Sequence, residues 1–281
     1  MGTLGHIQVV TASIGSPSAR WFDLGPLHIH YYALCIIVGV VAAVWLTYRR
    51  WTAQGGDPDL VFEVALWSII AGLIGGRLYF DVTTPDQMGH QWYAPLAIWQ
   101  GGLGIWGAVL FGVLAGAVVV RRRGASVSAF LDAAAPGLPL AQGIGRLGNW
   151  FNQELFGGPT TLPWGLRIDP PFRPAHYANS TTFQPTFLYE MVWDLGLAGL
   201  LIWLGHRYRI RPPGLFCLYV CLYCMIRSIL ELMRVDPATI MLGERLNFWV
   251  AVIGVIGGGA AFVYLQWRRP EQTSPGAVSE A

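Results

Sequence analysis

The chemically richest part of the sequence is the stretch from Gly143 to Glu154, which combines one Arg, two Asn, one Gln and one Glu. If this stretch is helical, Arg146, Asn149 and Gln153 share one face, because they are spaced i, i+3 and i+7. A guanidinium group beside amide donors and open glycine backbone is a combination that binds phosphate or another oxyanion. The stretch therefore predicts an anion-recognising site.

The glycines at positions 143, 145 and 148 also form the pattern G-x-G-x-x-G, which occurs in dinucleotide-binding proteins. That fingerprint needs a soluble strand before it, whereas apolar, proline-containing sequence precedes it here, so a nucleotide site is not expected. A structural alternative stays open, in which Arg146 and the Asn side chains only join helices inside a membrane. Ionisable groups at membrane depth are usually functional, which favours a binding site.

A second polar stripe lies in an apolar stretch nearer the C-terminus. Tyr223, Arg227, Glu231 and Arg234 are separated by 4, 4 and 3 residues, which places them on one helical face. The structural alternative is a self-neutralising i, i+4 pair between Arg227 and Glu231, with Arg234 extending toward lipid headgroups. Histidine and tyrosine side chains at positions 28–32 begin the first apolar stretch and are expected at the end of its helix.

The elements that carry these residues are predicted to be membrane-spanning helices. Hydrophobic residues make up 54% of the 281 residues and charged residues only 12%, against about 25% charged in an average soluble protein. Apolar runs long enough to span a bilayer cover roughly residues 30–48, 60–80, 103–120, 129–150, 187–205, 214–233 and 247–267. The sequence therefore predicts an all-α polytopic membrane protein with about seven transmembrane helices. Pro136 and Pro139 are expected to break or kink the fourth of them.

Arginine positions predict the orientation of these spans, since basic residues concentrate on the cytoplasmic side. Ten arginines fall on one side if the N-terminus is outside and the C-terminus is inside; they are Arg49, Arg50, Arg121, Arg122, Arg123, Arg207, Arg209, Arg211, Arg268 and Arg269. The outer loops then hold only four, at positions 20, 167, 173 and 245. In this orientation the stretch from 143 to 154 reaches the outer surface.

The domain organisation predicted from these spans is simple. Residues 1–269 are expected to form a single transmembrane catalytic domain, in which the outer segment 151–186 forms a small cap. Residues 270–281 are expected to be a disordered cytoplasmic tail. No internal repeat is visible, which argues against a transporter built from two symmetric halves.

Several chemistries are disfavoured by the motifs that the sequence lacks. There is no clustered Asp motif, as a metal-dependent headgroup transferase would need, and no G-x-S-x-G nucleophile motif. The four cysteines, Cys35, Cys217, Cys221 and Cys224, lie inside apolar runs and are expected to be packing residues rather than disulfide partners or metal ligands. No metal and no cofactor are therefore expected.

Together these motifs resemble a known family. The stretch from Gly145 to Glu154 is similar to the signature of the prolipoprotein diacylglyceryl transferases. Shorter motifs that look like those of the family occur in the expected order, within residues 24–32, 75–77, 101–103, 185–190 and 227–234. The resemblance covers about residues 20–269.

The resemblance implies a bacterial inner-membrane enzyme with seven helices and a periplasmic cap. The implied reaction moves the diacylglyceryl group of phosphatidylglycerol to the lipobox Cys thiol of a preprolipoprotein signal peptide, which forms a thioether and releases glycerol phosphate. The implied partners are phosphatidylglycerol, the preprolipoprotein and membrane lipid, with no nucleic acid, and the protein is expected to be a monomer. The alternatives from other classes are an anionic-lipid scaffold or flippase and a small-anion transporter.

The resemblance also implies roles for individual residues. Arg146 and Arg227 resemble the essential arginines, and Tyr32 and Glu154 are the other two predicted catalytic residues. Predicted substrate-binding residues are Asn149, Asn152, Tyr223, Gly157, His30, Arg234 and Glu231.

Two positions depart from the family pattern. Many members carry a His, often described as the catalytic base, where this chain has Trp106, and another His where it has Gln184. The base therefore stays open. Nearby arginines could favour the substrate thiolate without a base, or His30 could take the role.

Overall fold

Helices make up most of the chain, whose computed structural model describes residues 13–84, 93–96, 101–236 and 238–267. The α-helices within these ranges are α1 (Tyr31–Ala53), α2 (Pro58–Thr83), α3 (Ile105–Arg122), α4 (Val127–Ala134), α5 (Gly137–Asn152), α6 (Thr186–Arg207), α7 (Gly214–Met233) and α8 (Leu246–Trp267). Six of them, all except α4 and α5, are long and apolar enough to cross a membrane. The predicted helical, multi-pass architecture is confirmed, and the predicted tail 270–281 lies outside the described residues.

The fourth predicted span is interrupted, as its prolines suggested. α4 begins at a Ser126 cap, whose hydroxyl accepts a hydrogen bond from the backbone of Ala129, and it is only 8 residues long. α5 begins just after Pro136 and has 16 residues, which corresponds to a rise of about 24 Å. Because each helix alone is too short to count as a span, the seventh crossing, made by α4 and α5 together, stays a prediction.

α5 packs against α1 with almost no side chain between the two backbones. A Cβ atom at Gly39 of α1 would lie 2.8 Å from the carbonyl oxygen of Ala141. A Cβ atom at Gly137 of α5 would lie 2.9 Å from the carbonyl oxygen of Ala43. Small residues allow this close approach in membrane helices, and the two contacts fix one antiparallel register for the helix that carries Arg146.

α2 and α3 pack in the same way, which confirms the expected close packing of their glycines. A Cβ atom at Gly107 would lie 2.1 Å from the carbonyl oxygen of Gly75. The buried Arg77 of α2 donates hydrogen bonds to the carbonyl oxygens of Gly101 and Pro95, at 2.7 and 2.9 Å. Arg77 thereby holds the segment before α3, and its guanidinium group is not available to a ligand.

The cysteines of α7 pack against the glycines of α8, as the sequence predicted for small residues. A Cβ atom at Gly254 would lie 2.4 Å from the Cys224 sulfur, and one at Gly258 would lie 2.8 Å from the backbone nitrogen of Cys221. These thiols are therefore part of a helix interface.

Within the described residues, three short antiparallel strand pairs accompany the helices, which the all-α prediction did not include. They pair β1 (Trp21–Leu24) with β2 (Leu27–His30), β3 (Leu166–Arg167) with β4 (Thr182–Phe183), and β5 (Ile240–Met241) with β6 (Glu244–Arg245). The expectation that His28 and His30 lie on the first helix is wrong, because both belong to β2 and α1 begins at Tyr31. Gly25, with φ of 62°, provides the left-handed turn between β1 and β2.

A small hydrophobic cluster lies where α5 ends and α6 begins. Its buried members are Phe156, Leu166, Ile168, Phe183 and Phe187. The Gly157 N–H donates to the Gln184 carbonyl at 2.9 Å, and the Gly158 N–H donates to the Met233 carbonyl at 3.1 Å. These hydrogen bonds attach residues 151–186, the segment predicted to be a cap, to the start of α6 and the end of α7.

Candidate functional site

Two arginines from different helices meet at one buried carboxylate. Arg146 of α5 approaches Glu190 of α6 with Nη2 2.8 Å from Oε1. Arg227 of α7 approaches the other oxygen of Glu190, with Nη1 3.1 Å from Oε2. Glu190 is only 3% exposed. We call Arg146 and Arg227 the arginine pair; the structure therefore joins two residues that the sequence placed in separate motifs.

The residues that follow Arg146 extend this site along the end of α5. The Arg146 Nη1 group donates to Asn149 Oδ1 at 3.3 Å. The side-chain amides of Asn149 and Asn152 both donate to Glu154 Oε1, at 2.9 and 3.1 Å. The predicted shared face of Arg146 and Asn149 is confirmed, and Glu154 closes the chain of hydrogen bonds.

Gln153 does not join this face, so that part of the prediction is wrong. α5 ends at Asn152, and Gln153 is its C-terminal cap with a left-handed φ of 54°. Its amide nitrogen donates to Asp169 Oδ2 at 2.7 Å, and its amide oxygen accepts from the Asp169 backbone at 2.8 Å. The helical spacing does not continue through the cap, and the side chain attaches residues 151–186 to the end of the helix.

A second carboxylate, Glu231 of α7, collects three arginines. Glu231 is 1% exposed. Its Oε2 atom lies 3.0 Å from Arg227 Nη2 and 3.5 Å from Arg234 Nη1, while its Oε1 atom lies 2.7 Å from Arg245 Nε. The i, i+4 pair between Arg227 and Glu231 is confirmed, although it belongs to a larger network that also orients Arg227 toward Glu190.

Arg234 and Arg245 also share Asp236, which follows α7. Arg234 Nε lies 2.7 Å from Asp236 Oδ1, and Arg245 Nη2 lies 2.9 Å from Oδ2. The expectation that Arg234 extends toward lipid headgroups is wrong, because its side chain is largely buried between Glu231 and Asp236. Burial alone would raise the pKa of Asp236, but the hydrogen bonds and charges of Arg234 and Arg245 outweigh it and lower that pKa.

Two predicted tyrosines also lie beside the arginine pair. The Tyr32 ring of α1 covers Gly148, which lies two residues after Arg146 on α5, and its hydroxyl interacts electrostatically with Glu154 and Arg146. The Tyr223 hydroxyl of α7 lies 3.5 Å from Glu190 Oε1. Both tyrosines therefore line the site from helices on either side of it.

The other predicted binding residues lie further from the pair. His30 is exposed, packs against Trp21 with ring centroids 5.5 Å apart, and lines a cleft together with Asn152 and Glu154. Gly157 is buried at the junction with α6 and α7, and its N–H is occupied by Gln184, so it contributes packing there.

Two openings adjoin the site and differ in polarity. A cleft of about 690 Å³ lies above the end of α5 and is lined by Arg20, His30, Asn152, Glu154 and Asp236 among others. A groove of about 660 Å³ follows one face of α6 beside α7, and its lining is almost entirely apolar. Tyr189, the neighbour of Glu190, belongs to the lining of this groove. Arg146 and Arg227 line neither opening themselves; the cleft is connected to Arg146 through Asn149 and Glu154, and the groove borders the site through Tyr189.

Glu190 was not among the site residues predicted from the sequence. The charge of Glu190 could have identified it. Arginines within apolar helices need counterions, and the acidic residues inside the apolar spans 187–205 and 214–233 are Glu190, Asp194 and Glu231. A search for those counterions would have selected Glu190 as a candidate.

Comparison with known proteins identifies the family of the chain. A sequence model of the family described as prolipoprotein diacylglyceryl transferase matches residues 19–264. The chain belongs to this family. It is 47% identical over 262 residues to phosphatidylglycerol–prolipoprotein diacylglyceryl transferase 2 of Streptomyces coelicolor, covering 92% of this chain and 83% of that protein. It is 48% identical over 270 residues to the transferase of the same name from Cutibacterium acnes, covering 95% and 91%.

Two positions at which the resemblance implied a histidine carry other side chains, Trp106 and Gln184. Trp106 is in the first turn of α3 and is 43% exposed, and no hydrogen bond or ion pair joins it to the arginine pair in the described part of the chain. Gln184 accepts a hydrogen bond from the Tyr189 hydroxyl at 2.7 Å and donates to Thr160 at 3.3 Å. Neither residue supplies a titratable group to the site.

The contact between Gly148 and Tyr32 gives a testable consequence for this transferase. A Cβ atom at Gly148 would lie 2.3 Å from the Tyr32 ring, so Gly148→Ala should displace the ring beside Arg146. We expect activity to fall about 10²-fold, as small misplacements in active sites do. Gly199→Ala is the matched control, because a Cβ atom at this exposed helical glycine would meet nothing within 4 Å. Equal losses in the two variants, measured as transfer to a lipobox peptide, would contradict the role of the Tyr32 contact.

Proposed function

We propose that this protein transfers the diacylglyceryl group of phosphatidylglycerol to the lipobox Cys thiol of preprolipoproteins and releases glycerol phosphate. The observation that carries the proposal is the arginine pair, which converges from α5 and α7 on the two oxygens of one carboxylate. A planar guanidinium group can make two parallel hydrogen bonds to a phosphate as it does to a carboxylate. Two such groups facing one point suit the phosphodiester of an anionic lipid.

The arginine pair also suits the chemical step. When the carbon–oxygen bond of the lipid breaks, negative charge develops on the phosphate oxygen, and fixed cationic donors stabilise it. The nucleophile is the thiol of the substrate, so none of the four cysteines of this chain has to react. Asn149 accepts a hydrogen bond from Arg146 and donates one to Glu154, which Asn152 also contacts, while Glu231 binds Arg227. We propose these residues, with Tyr32 and Tyr223, as the walls of the substrate site.

We further propose that the protein lies in the bacterial inner membrane with its active site facing outward, the N-terminus outside and the C-terminus inside. The arginine distribution supports this orientation. We propose that it acts as a monomer. The polar cleft would accept the peptide and the glycerol headgroup, and the apolar groove along α6 would accept an acyl chain.

The orientation can be tested by labelling single cysteines in a cysteine-free background. A membrane-impermeant maleimide should react with Asn179→Cys, on the exposed surface of the 151–186 segment, in intact cells. Arg209→Cys, at the exposed end of α6, should react only after the membrane is permeabilised. The opposite pattern would reverse the proposed topology.

The activity itself can be tested with the full chain in lipid nanodiscs. Incubation with phosphatidylglycerol and a lipobox peptide should increase the peptide mass by one diacylglyceryl group, as read by mass spectrometry. A peptide with Ser in place of the lipobox Cys is the matched control and should stay unmodified. A lipid scaffold, a flippase or a small-anion transporter would leave both peptides unchanged, and that result would overturn the proposal.

A further inference from the structure

Glu190 occupies the position in which the proposed function requires a phosphate. Each of its carboxylate oxygens is bound by one member of the arginine pair, at 2.8 and 3.1 Å. If a phosphodiester binds the same two guanidinium groups, a second anion arrives beside Glu190. Because Glu190 is almost completely buried, water screens this repulsion little. The site must therefore neutralise or move the Glu190 charge when the lipid binds.

No other cation faces Glu190 in the described part of the chain. The groups around it are Arg146 from α5, Arg227 and Tyr223 from α7, and Asp194 one turn deeper on α6. Glu231 of α7 already holds the second nitrogen of Arg227. Asp194 is fully buried, and neither of its oxygens has a hydrogen-bond partner among the described residues. If the phosphate binds the arginine pair, the Tyr223 hydroxyl, at 3.5 Å, is the hydrogen-bond donor among these groups that stays beside Glu190.

We propose that Glu190 is the general base that accepts the proton of the lipobox Cys thiol. This inference rests on the proposed function. Protonation removes the surplus negative charge that the phosphate introduces, and the same proton transfer creates the thiolate. Binding of the anionic lipid thus favours protonation of Glu190, and that protonation is the same step that activates the thiol. The flexible glutamate side chain can turn from the arginine pair toward the thiol without backbone movement.

The S–H proton moves to a Glu190 oxygen, and the thiolate attacks the glyceryl carbon that bears the phosphodiester oxygen. The carbon–oxygen bond breaks, its electron pair stays on the phosphate oxygen, and the arginine pair stabilises that charge. The proton then passes from Glu190 to the departing glycerol phosphate or to water, and Glu190 binds the arginine pair again.

This assignment explains how the site works with Trp106 in place of a histidine. Trp106 has no titratable group, and His30 lies in the exposed cleft against Trp21 rather than at the arginine pair. Glu190 is the acidic side chain in direct contact with both arginines that would hold the leaving group. A base must lie within hydrogen-bond reach of the proton that it removes, and Glu190 adjoins the place where the reacting carbon would lie.

Glu190→Gln tests the proposal, because Gln has nearly the same shape but accepts no thiol proton. Full-length variants in nanodiscs with phosphatidylglycerol should show kcat reduced about 10²–10⁴-fold, while KM for the lipid is unchanged or lower, since the competing anion is gone. The remaining rate should rise with pH toward the thiol pKa of about 8.5, because only preformed thiolate reacts.

A selenocysteine lipobox peptide separates a base from a merely structural carboxylate. A selenol is largely ionised at neutral pH and needs no base, so this peptide should react with Glu190→Gln within about tenfold of the wild-type rate. A variant that keeps near-wild-type kcat with the thiol peptide, or one whose loss the selenol does not restore, would overturn the assignment. If the proposed function itself were wrong, the wild-type protein would modify neither peptide, which is a different result from the loss of activity in Glu190→Gln alone.

Discussion

Replacing either member of the arginine pair with lysine should lower transferase turnover about 10²–10³-fold, which is the usual cost of removing one charge-stabilising donor from an active site. Lysine keeps the positive charge, so Glu190 retains a cationic partner and the helices should still assemble. The planar fork is lost, however, and a single ammonium group cannot hold a phosphate through two parallel hydrogen bonds. Initial rates of peptide modification in nanodiscs, together with expression level and melting temperature, measure this effect.

Arg167→Lys is the matched control for this prediction. Arg167 lies in β3 within the segment 151–186, and its side chain is exposed away from the arginine pair. Its replacement should leave turnover unchanged. Near-wild-type rates in both Arg146→Lys and Arg227→Lys, with normal amounts of folded protein, would show that the phosphate does not bind between them.

The second large effect is expected at Glu231, where replacement by Gln should lower the free energy of unfolding by about 3–5 kcal/mol. The carboxylate contacts Arg227, Arg234 and Arg245 at 2.7 to 3.5 Å, and all three guanidinium groups are mostly buried. Removing one partner of a buried ion pair leaves uncompensated charge in a poorly solvated site, which costs this much in other proteins. Thermal unfolding in detergent, followed by tryptophan fluorescence, measures the loss.

Glu63→Gln provides the matched control for Glu231. Glu63 pairs with Arg123 at 2.6 Å, a shorter distance than any at Glu231, but both side chains are substantially exposed. Exposed pairs contribute little to stability whatever their distance, so the melting temperature should scarcely change. If the two variants had the same melting temperature, burial would not be the reason that the Glu231 network stabilises the protein.

For residues close together in the sequence, helical spacing alone predicted which side chains share a face. Arg146 and Asn149 share a face because they are three residues apart, and the hydrogen bond between them confirms it. The same spacing failed for Gln153, since it assumes that the helix continues. The left-handed cap at Gln153 ends the helix first, and a sequence without alignment gives little warning of where a helix ends.

Contacts between side chains on different helices could not be predicted from the sequence. Arg146 and Arg227 belong to helices separated by α6, and which residue of α6 would lie between them depends on three-dimensional register. Glu190 and Asp194 are both acidic residues of that helix, yet only Glu190 contacts the arginine pair. The β1–β2 hairpin was missed for another reason: its four-residue strands are too short to produce a pattern distinct from the apolar helix that follows.

The glycine contacts between α1 and α5 set the level of Arg146 along α1. In the register set by Gly39 and Gly137, Arg146 is level with residue 34, about 5 Å below the first residue of α1. Two helices in backbone contact cannot shift their register by one residue, because successive residues point in directions about 100° apart around the helix axis. The next residue along would therefore not face the partner helix. If lipid phosphate binds Arg146 as proposed, the depth of that contact is therefore set by small, uncharged residues further along the two helices.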